Sequence, residues 1–293
     1  MPLLLTFSLF VLLLIGSKSQ HALWGLLPAL VPFLSTWKEK RPATRVVGAA
    51  LGILLLVASI VVVRLPPPYY HSQALFNLIF LKLAKESADP ARDLQALGLS
   101  TQDMPYIGLW AFQPQAPASD PKWLADFGQR TNYFKVAKFY LHQPLRAWRI
   151  LNGDLLESAP RMRLFADLRR QDAHKPNELA RNFASWSNLR STLFLRWPHH
   201  ILVWYTLLGT FIVLILRARP SVAAVRLAWI TAALSGAAGI EYGVSSLADA
   251  CETFRHLFLF HALTDLTVCM ALSALLSGTL RTLLTSARIR RPA

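Results

Sequence analysis

Apolar positions gather in six runs along the chain, and strand-type alternation is weak throughout. The runs are Pro2–Ile15, His21–Trp37, Val46–Val63, His200–Leu216, Val222–Val244 and Leu257–Leu276. A bilayer span takes about 20 mostly apolar residues, so the third run is a clean span and the first two are short. Run one has the length of a signal-peptide core. It lacks a basic leader and a small-x-small cleavage site, so we read it as a span. Pro28 and Pro32 predict a kink in run two. Pro66, Pro67 and Pro68 then stop any helix that leaves run three.

Residues 65–198 have a different pattern, with 17 Lys/Arg, 11 Asp/Glu and no long apolar run. This is a mainly helical insert, large enough for a modest domain or for helices lying on a membrane face. The spacing predicts an amphipathic helix over 72–87 from Ala74, Leu75, Leu78, Ile79 and Lys82. A short helix follows over 89–99, with Asp89 as N-cap, Pro90 at the first helical position and Gly98 as the stop. Residues 112–123 form a proline-rich loop. Helices are expected over 123–149 and 159–170, with Asn152-Gly153 as the turn between them.

Composition turns this pattern into a class. The chain has 293 residues, 54% of them hydrophobic, and a mean hydropathy of +0.36. Soluble domains are nearer about 45–50% apolar, so the fold class is mainly α: a multi-pass helical membrane protein of about six spans. The net charge of +15 fits cytoplasmic basic loops and anionic lipid, and no basic tract with interleaved aromatics points to nucleic acid. Four Lys/Arg in 38–45, three Arg in 217–226 and four Arg in 281–293 place those segments in the cytoplasm, with both termini. The insert then faces outward from a bacterial inner membrane. The expected organisation is an N-terminal membrane region (1–64), the extracytoplasmic insert (65–198), a C-terminal membrane region (199–280) and a basic tail (281–293). Cys251 and Cys269 form neither a disulfide framework nor a metal motif.

The candidate chemistry sits where charge enters the last spans. "DACETFRHLFLFHALTDL" puts Asp249, Glu252, Arg255 and His256 at the outer end of run six, with His261 and Asp265 deeper. Glu241 is the matching acid in run five. Helical spacing faces Glu252 with Arg255 and His256, and His261 with Asp265. Charges in a bilayer are costly and turn toward partners or water. The six residues Glu241, Asp249, Glu252, Arg255, His256 and Asp265 are therefore one candidate polar site, or else ion pairs that set helix depth; His261 suits a packed, hydrogen-bonded role. Tyr69, Tyr70 and His71 suit a headgroup or sugar contact, or an interfacial aromatic belt. Arg161, Arg163, Arg169 and Arg170 suit a lipid phosphate or a solvated helix face. His142, before Pro144, suits a surface role, and Trp197 a membrane anchor. No nucleophile elbow, zinc or phosphate-loop motif occurs.

Four segments together carry a resemblance: "YYHSQALFNLIFLKLAKESADPARDLQALGL", "YIGLWAFQPQAP", "FYLHQP" and "ETFRHLFLFHALTDL". Over roughly 66–276 they resemble the C-terminal half of bacterial multi-span glycan-biosynthesis hexosyltransferases of GT-C-like architecture. The resemblance implies sugar transfer from a polyprenyl-phosphate donor, used as substrate with no cofactor, to a glycan acceptor on the outer membrane face. It also implies a carboxylate in the first outer loop, where this chain has "GSKSQH" (16–21) and no acid. The implied partners are membrane lipids, the lipid-linked sugar, its acceptor and a membrane-protein partner. A non-enzymatic scaffold of envelope machinery is the alternative, and a transporter is disfavoured by the lack of repeats and the few spans.

Overall fold

A computed structural model describes residues 2–17, 21–158, 185–217, 222–250 and 257–276. Among these residues every regular element is helical. The first apolar group is α1 (Pro2–Ser17), α2 (His21–Trp24), α3 (Leu26–Thr36) and α4 (Pro42–Arg64). The insert holds α5 (Pro68–Asn77), a π-helical segment (Leu78–Leu83), α6 (Pro90–Ala96), α7 (Pro121–Arg130), α8 (Tyr133–His142), α9 (Pro144–Glu157) and α10 (Ser185–Arg196). The second apolar group is α11 (His200–Arg217), α12 (Val222–Leu247) and α13 (Phe258–Leu276). Of these, α4 and α11 are long and apolar enough to cross a membrane; α1, α3 and Phe258–Ser273 are shorter apolar helices.

The bundle is assembled around α12, which packs on α2, α3, α9, α11 and α13. One stripe of α1 (Leu4, Phe7, Val11 and Ile15) turns inward at helical spacing and meets α2, α3 and α4. Helices α3 and α4 approach closely because Gly48 and Gly52 line the contact. A Cβ on Gly48 would lie 2.7 Å from the Pro32 carbonyl, and one on Gly52 2.8 Å from that of Ala29. This is small-xxx-small packing, in which absent side chains let backbones touch. The rest of α4 shows Ile53, Leu54, Val57, Ile60 and Val61 outward, as a lipid-facing surface requires. Run two is interrupted at Gly25, where a side chain would strike Ser59 and Ile15, and Pro28 and Pro32 both lie within α3. Arg226 at the start of α12 donates to Glu39 at 2.6 Å, so the start of α12 lies beside the basic 38–45 segment.

A second core fills the insert at the other end. Phe76, Phe80, Tyr106, Trp123 and Phe127 pack ring on ring, with Trp123 stacked on Phe127 at 5.1 Å. The expected amphipathic helix over 72–87 is corrected here: from Leu75 to Ala84 every residue except Leu81 is buried. The apolar residues of this stretch cover the whole circumference of the helix, so it runs through the core. The π segment adds a residue to the turn, and Ala84 donates to the Ile79 carbonyl at 2.7 Å. The freed Phe80 carbonyl accepts from Gly108 N at 2.9 Å. Helix α6 follows its sequence signals. Asp89 accepts from Arg92 N at 3.1 Å, and Gly98 adopts φ +85, a conformation natural to glycine. The long helix expected over 123–149 is three helices, broken at Thr131-Asn132 and at Gln143-Pro144. Asn152-Gly153 is not a turn; both residues lie inside α9. The expected helix over 159–170 lies outside the described residues.

Candidate functional site

The insert meets the bundle through buried polar groups rather than apolar packing alone. Lys82, in the π segment, is 7% exposed. Its ammonium donates to Asp154 on α9 at 2.7 Å and to the Ser246 carbonyl at the end of α12 at 2.9 Å. One side chain thus ties three elements. Burial pushes the Asp154 carboxyl above its ordinary value, Lys82 pulls it back only in part, and Glu157 adds to the rise. Removing a carboxylate from water therefore costs more at Asp154 than its contacts with Lys82 return.

A cleft of about 690 Å³ opens above this pair. Its floor holds a second pair, in which the half-buried Arg146 on α9 donates to the buried Asp93 on α6 and to the Leu83 carbonyl. Asp93 also accepts from Ser87 at 2.5 Å and from Gln143 at 3.4 Å. Burial opposes its charge, but the Ser87, Arg146 and Gln143 contacts outweigh that and hold its carboxyl below the ordinary value. The rim is charged and solvated: Arg92, Arg149, Glu86 and Glu157 line the cleft and are exposed. Guanidiniums suit phosphate oxygens, and carboxylates accept from hydroxyls, so the cleft has the chemistry for a sugar phosphate.

The residues singled out from the sequence fall into separate contacts. Glu241, 3% exposed, accepts from Ser245 at 3.2 Å and lies 4.0 Å from His21, the first residue of α2. Asp265 faces Arg190 of α10 at 3.3 Å. The expected His261–Asp265 pairing is thereby corrected, because His261 Nε2 meets the Ser158 hydroxyl at 2.9 Å instead. Asp249 is buried and sits beside Tyr70: burial and then its charge push the Tyr70 phenol above its ordinary value. Tyr69 and His71 are exposed, with His71 edge-on to Tyr70. His142 is exposed and bonds only to the Lys138 carbonyl of its own helix. Trp197 is exposed just before α11. Glu252, Arg255, His256, Arg161, Arg163, Arg169 and Arg170 lie outside the described residues.

Lys82, Asp154, Asp93 and Arg146 were not singled out from sequence. For Lys82 a signal existed, a lone cation inside "ALFNLIFLKLA", where apolar residues on every helical face predict burial and so a partner. Among the described residues no group of His, Cys, Asp and Glu could hold a metal ion.

No curated protein and no solved structure matches the chain. One family description does match, over residues 1–289, and by it this chain belongs to the family of the YfdI N-terminal transmembrane domain.

Proposed function

We propose that this membrane protein acts in envelope glycan assembly as a GT-C-like hexosyltransferase, or as part of one, on a polyprenyl-phosphate-linked sugar. The insert lies on the extracytoplasmic side of a bacterial inner membrane, with both termini in the cytoplasm. The charged cleft at the junction of insert and bundle supports this best, because it offers cations and carboxylates together. In the reaction, an acceptor hydroxyl oxygen bonds to the hexose anomeric carbon and gives its proton to Glu157. The bond from that carbon to the phosphate oxygen breaks, and its electron pair leaves on polyprenyl phosphate. Arg149 and Arg92 meet the resulting charge.

A second reading is a non-enzymatic partner subunit, and the lack of a carboxylate in "GSKSQH" (16–21) favours it. The test uses membranes containing the full chain, a radiolabelled polyprenyl-phosphate hexose and endogenous acceptor. Glu157→Gln and Arg149→Ala should each abolish most transfer at unchanged protein level. Transfer equal to the unsubstituted chain in both variants would overturn the assignment of this cleft. No transfer by the native chain unless a second membrane protein is added would support the partner reading.

A further inference from the structure

We propose that the outward edge of α8 and α9 is a lipid-binding surface, seated in the bilayer leaflet on the insert's side of the membrane. On α8, Phe134 and Leu141 are 78% and 80% exposed, and they share a face with Lys138 at helical spacing. On α9, Leu145 is 77% and Trp148 51% exposed. The opposite faces of the same helices supply Val136, Phe139, Tyr140 and Ile150 to the insert core. These helices are therefore apolar on both sides, and only one side is covered by the fold.

Position within the molecule says what covers the other side. Tyr242, five residues before the end of α12, donates its hydroxyl to the Leu151 carbonyl of α9 at 2.7 Å. Ser158, directly after α9, meets His261 near the start of α13 at 2.9 Å. At 1.5 Å per residue, five residues put this contact about 8 Å inside the rim of the bundle. An interfacial amphipathic helix sits about 5–10 Å into the headgroup and acyl boundary, so a bilayer surface level with the end of α12 would place α9 at that depth. The exposed Trp197 stands just before α11, where an interfacial anchor is expected.

Charge agrees. The acids of α9, Asp154 and Glu157, line the cleft, while the exposed Lys138 stands between Phe134 and Leu141 on the outward face and suits a phospholipid phosphate. The lipid surface stands whether or not the cleft handles sugar.

The test uses the full chain in vesicles of phosphatidylethanolamine and phosphatidylglycerol doped with brominated phosphatidylcholine. Subtracting the emission of Trp148→Phe from that of the native chain isolates Trp148. That signal should be quenched, more by bromines near the headgroup end of the acyl chain than by bromines at its end. A bimane label on Leu145→Cys, in a background with Cys251→Ser and Cys269→Ser, should respond in the same order. Absence of lipid quenching at both sites would overturn the proposal. So would Trp148 emission that tracks protein density at fixed lipid, since a second copy would then cover the patch.

Discussion

Breaking the Lys82–Asp154 pair from its two sides should destabilise the protein with opposite pH dependence. In Asp154→Asn the Lys82 ammonium, with only 8% of its side chain exposed, keeps the Ser246 carbonyl but loses its counter-charge. Its escape is to shed a proton. At about pH 7.5 that lies about three pH units below the ordinary lysine pKa, so the cost is capped near 4 kcal/mol. The cap falls within the range of about 3–5 kcal/mol for removing one partner of a buried pair. Folding then depresses the lysine pKa, so the variant regains stability as pH rises. In Lys82→Met the stranded carboxylate escapes by taking a proton, at a cost near 5 kcal/mol at about pH 7.5 and about 2 kcal/mol at about pH 5.5. Its folded pKa is raised, so this variant loses stability as pH rises above the ordinary carboxylate value. The native pair shows the same sign more weakly, since burial already raises Asp154. The double variant Lys82→Met/Asp154→Leu should melt close to the native chain or above it, because an apolar pair carries no desolvation cost. Thermal unfolding in nanodiscs across this pH range measures all four proteins. Parallel pH curves for the two single variants, or a double variant no better than the worse single, would refute the reasoning.

Two further outcomes follow from specific contacts. Gly48→Leu places a branched side chain against the Pro32 carbonyl and Thr36, which should cost about 1–3 kcal/mol by overpacking; it should appear as a lower melting temperature and faster proteolysis of the 38–45 loop. Asp93 has a lowered carboxyl pKa, so its contribution is present above the ordinary carboxylate value and is lost as pH falls through the folded one. The acid limb of the stability curve, below about pH 5, should therefore be flatter in Asp93→Asn than in the native chain.

Much of the helical frame was legible in sequence because it depends on local patterns. Run four predicts α11 almost to the residue, and Asp89, Pro90 and Gly98 mark α6 because caps and φ-restricted residues act at their own position. Family membership establishes the membrane domain, described as an N-terminal one where the motifs resembled a C-terminal half. The π segment was not legible, since the apolar stretch at 72–87 satisfies helical spacing whichever way it is wound. What selects the π turn is distant: the Phe80 and Leu83 carbonyls are taken up by Gly108 and Arg146.

The acids show the same division more sharply. Spacing pairs His261 with Asp265 because i,i+4 neighbours lie on one helix face, yet each is answered from elsewhere, by Ser158 and Arg190. Lys82 and Asp154 are 72 residues apart, and Ser158 and His261 are 103 apart. Every one of these pairs joins the insert to an apolar helix or one part of the insert to another. An unpaired charge at such a boundary is costly, so pairing fixes how the insert sits on the bundle. The cleft is built on the same residues: its floor is the Lys82–Asp154 and Arg146–Asp93 pairs, and its rim is the charges left over. Variants of the floor should therefore change stability and cleft shape together. Rim variants at Arg149 and Glu157 should alter what the cleft binds while leaving the melting temperature nearly unchanged, because exposed charges contribute little to folding.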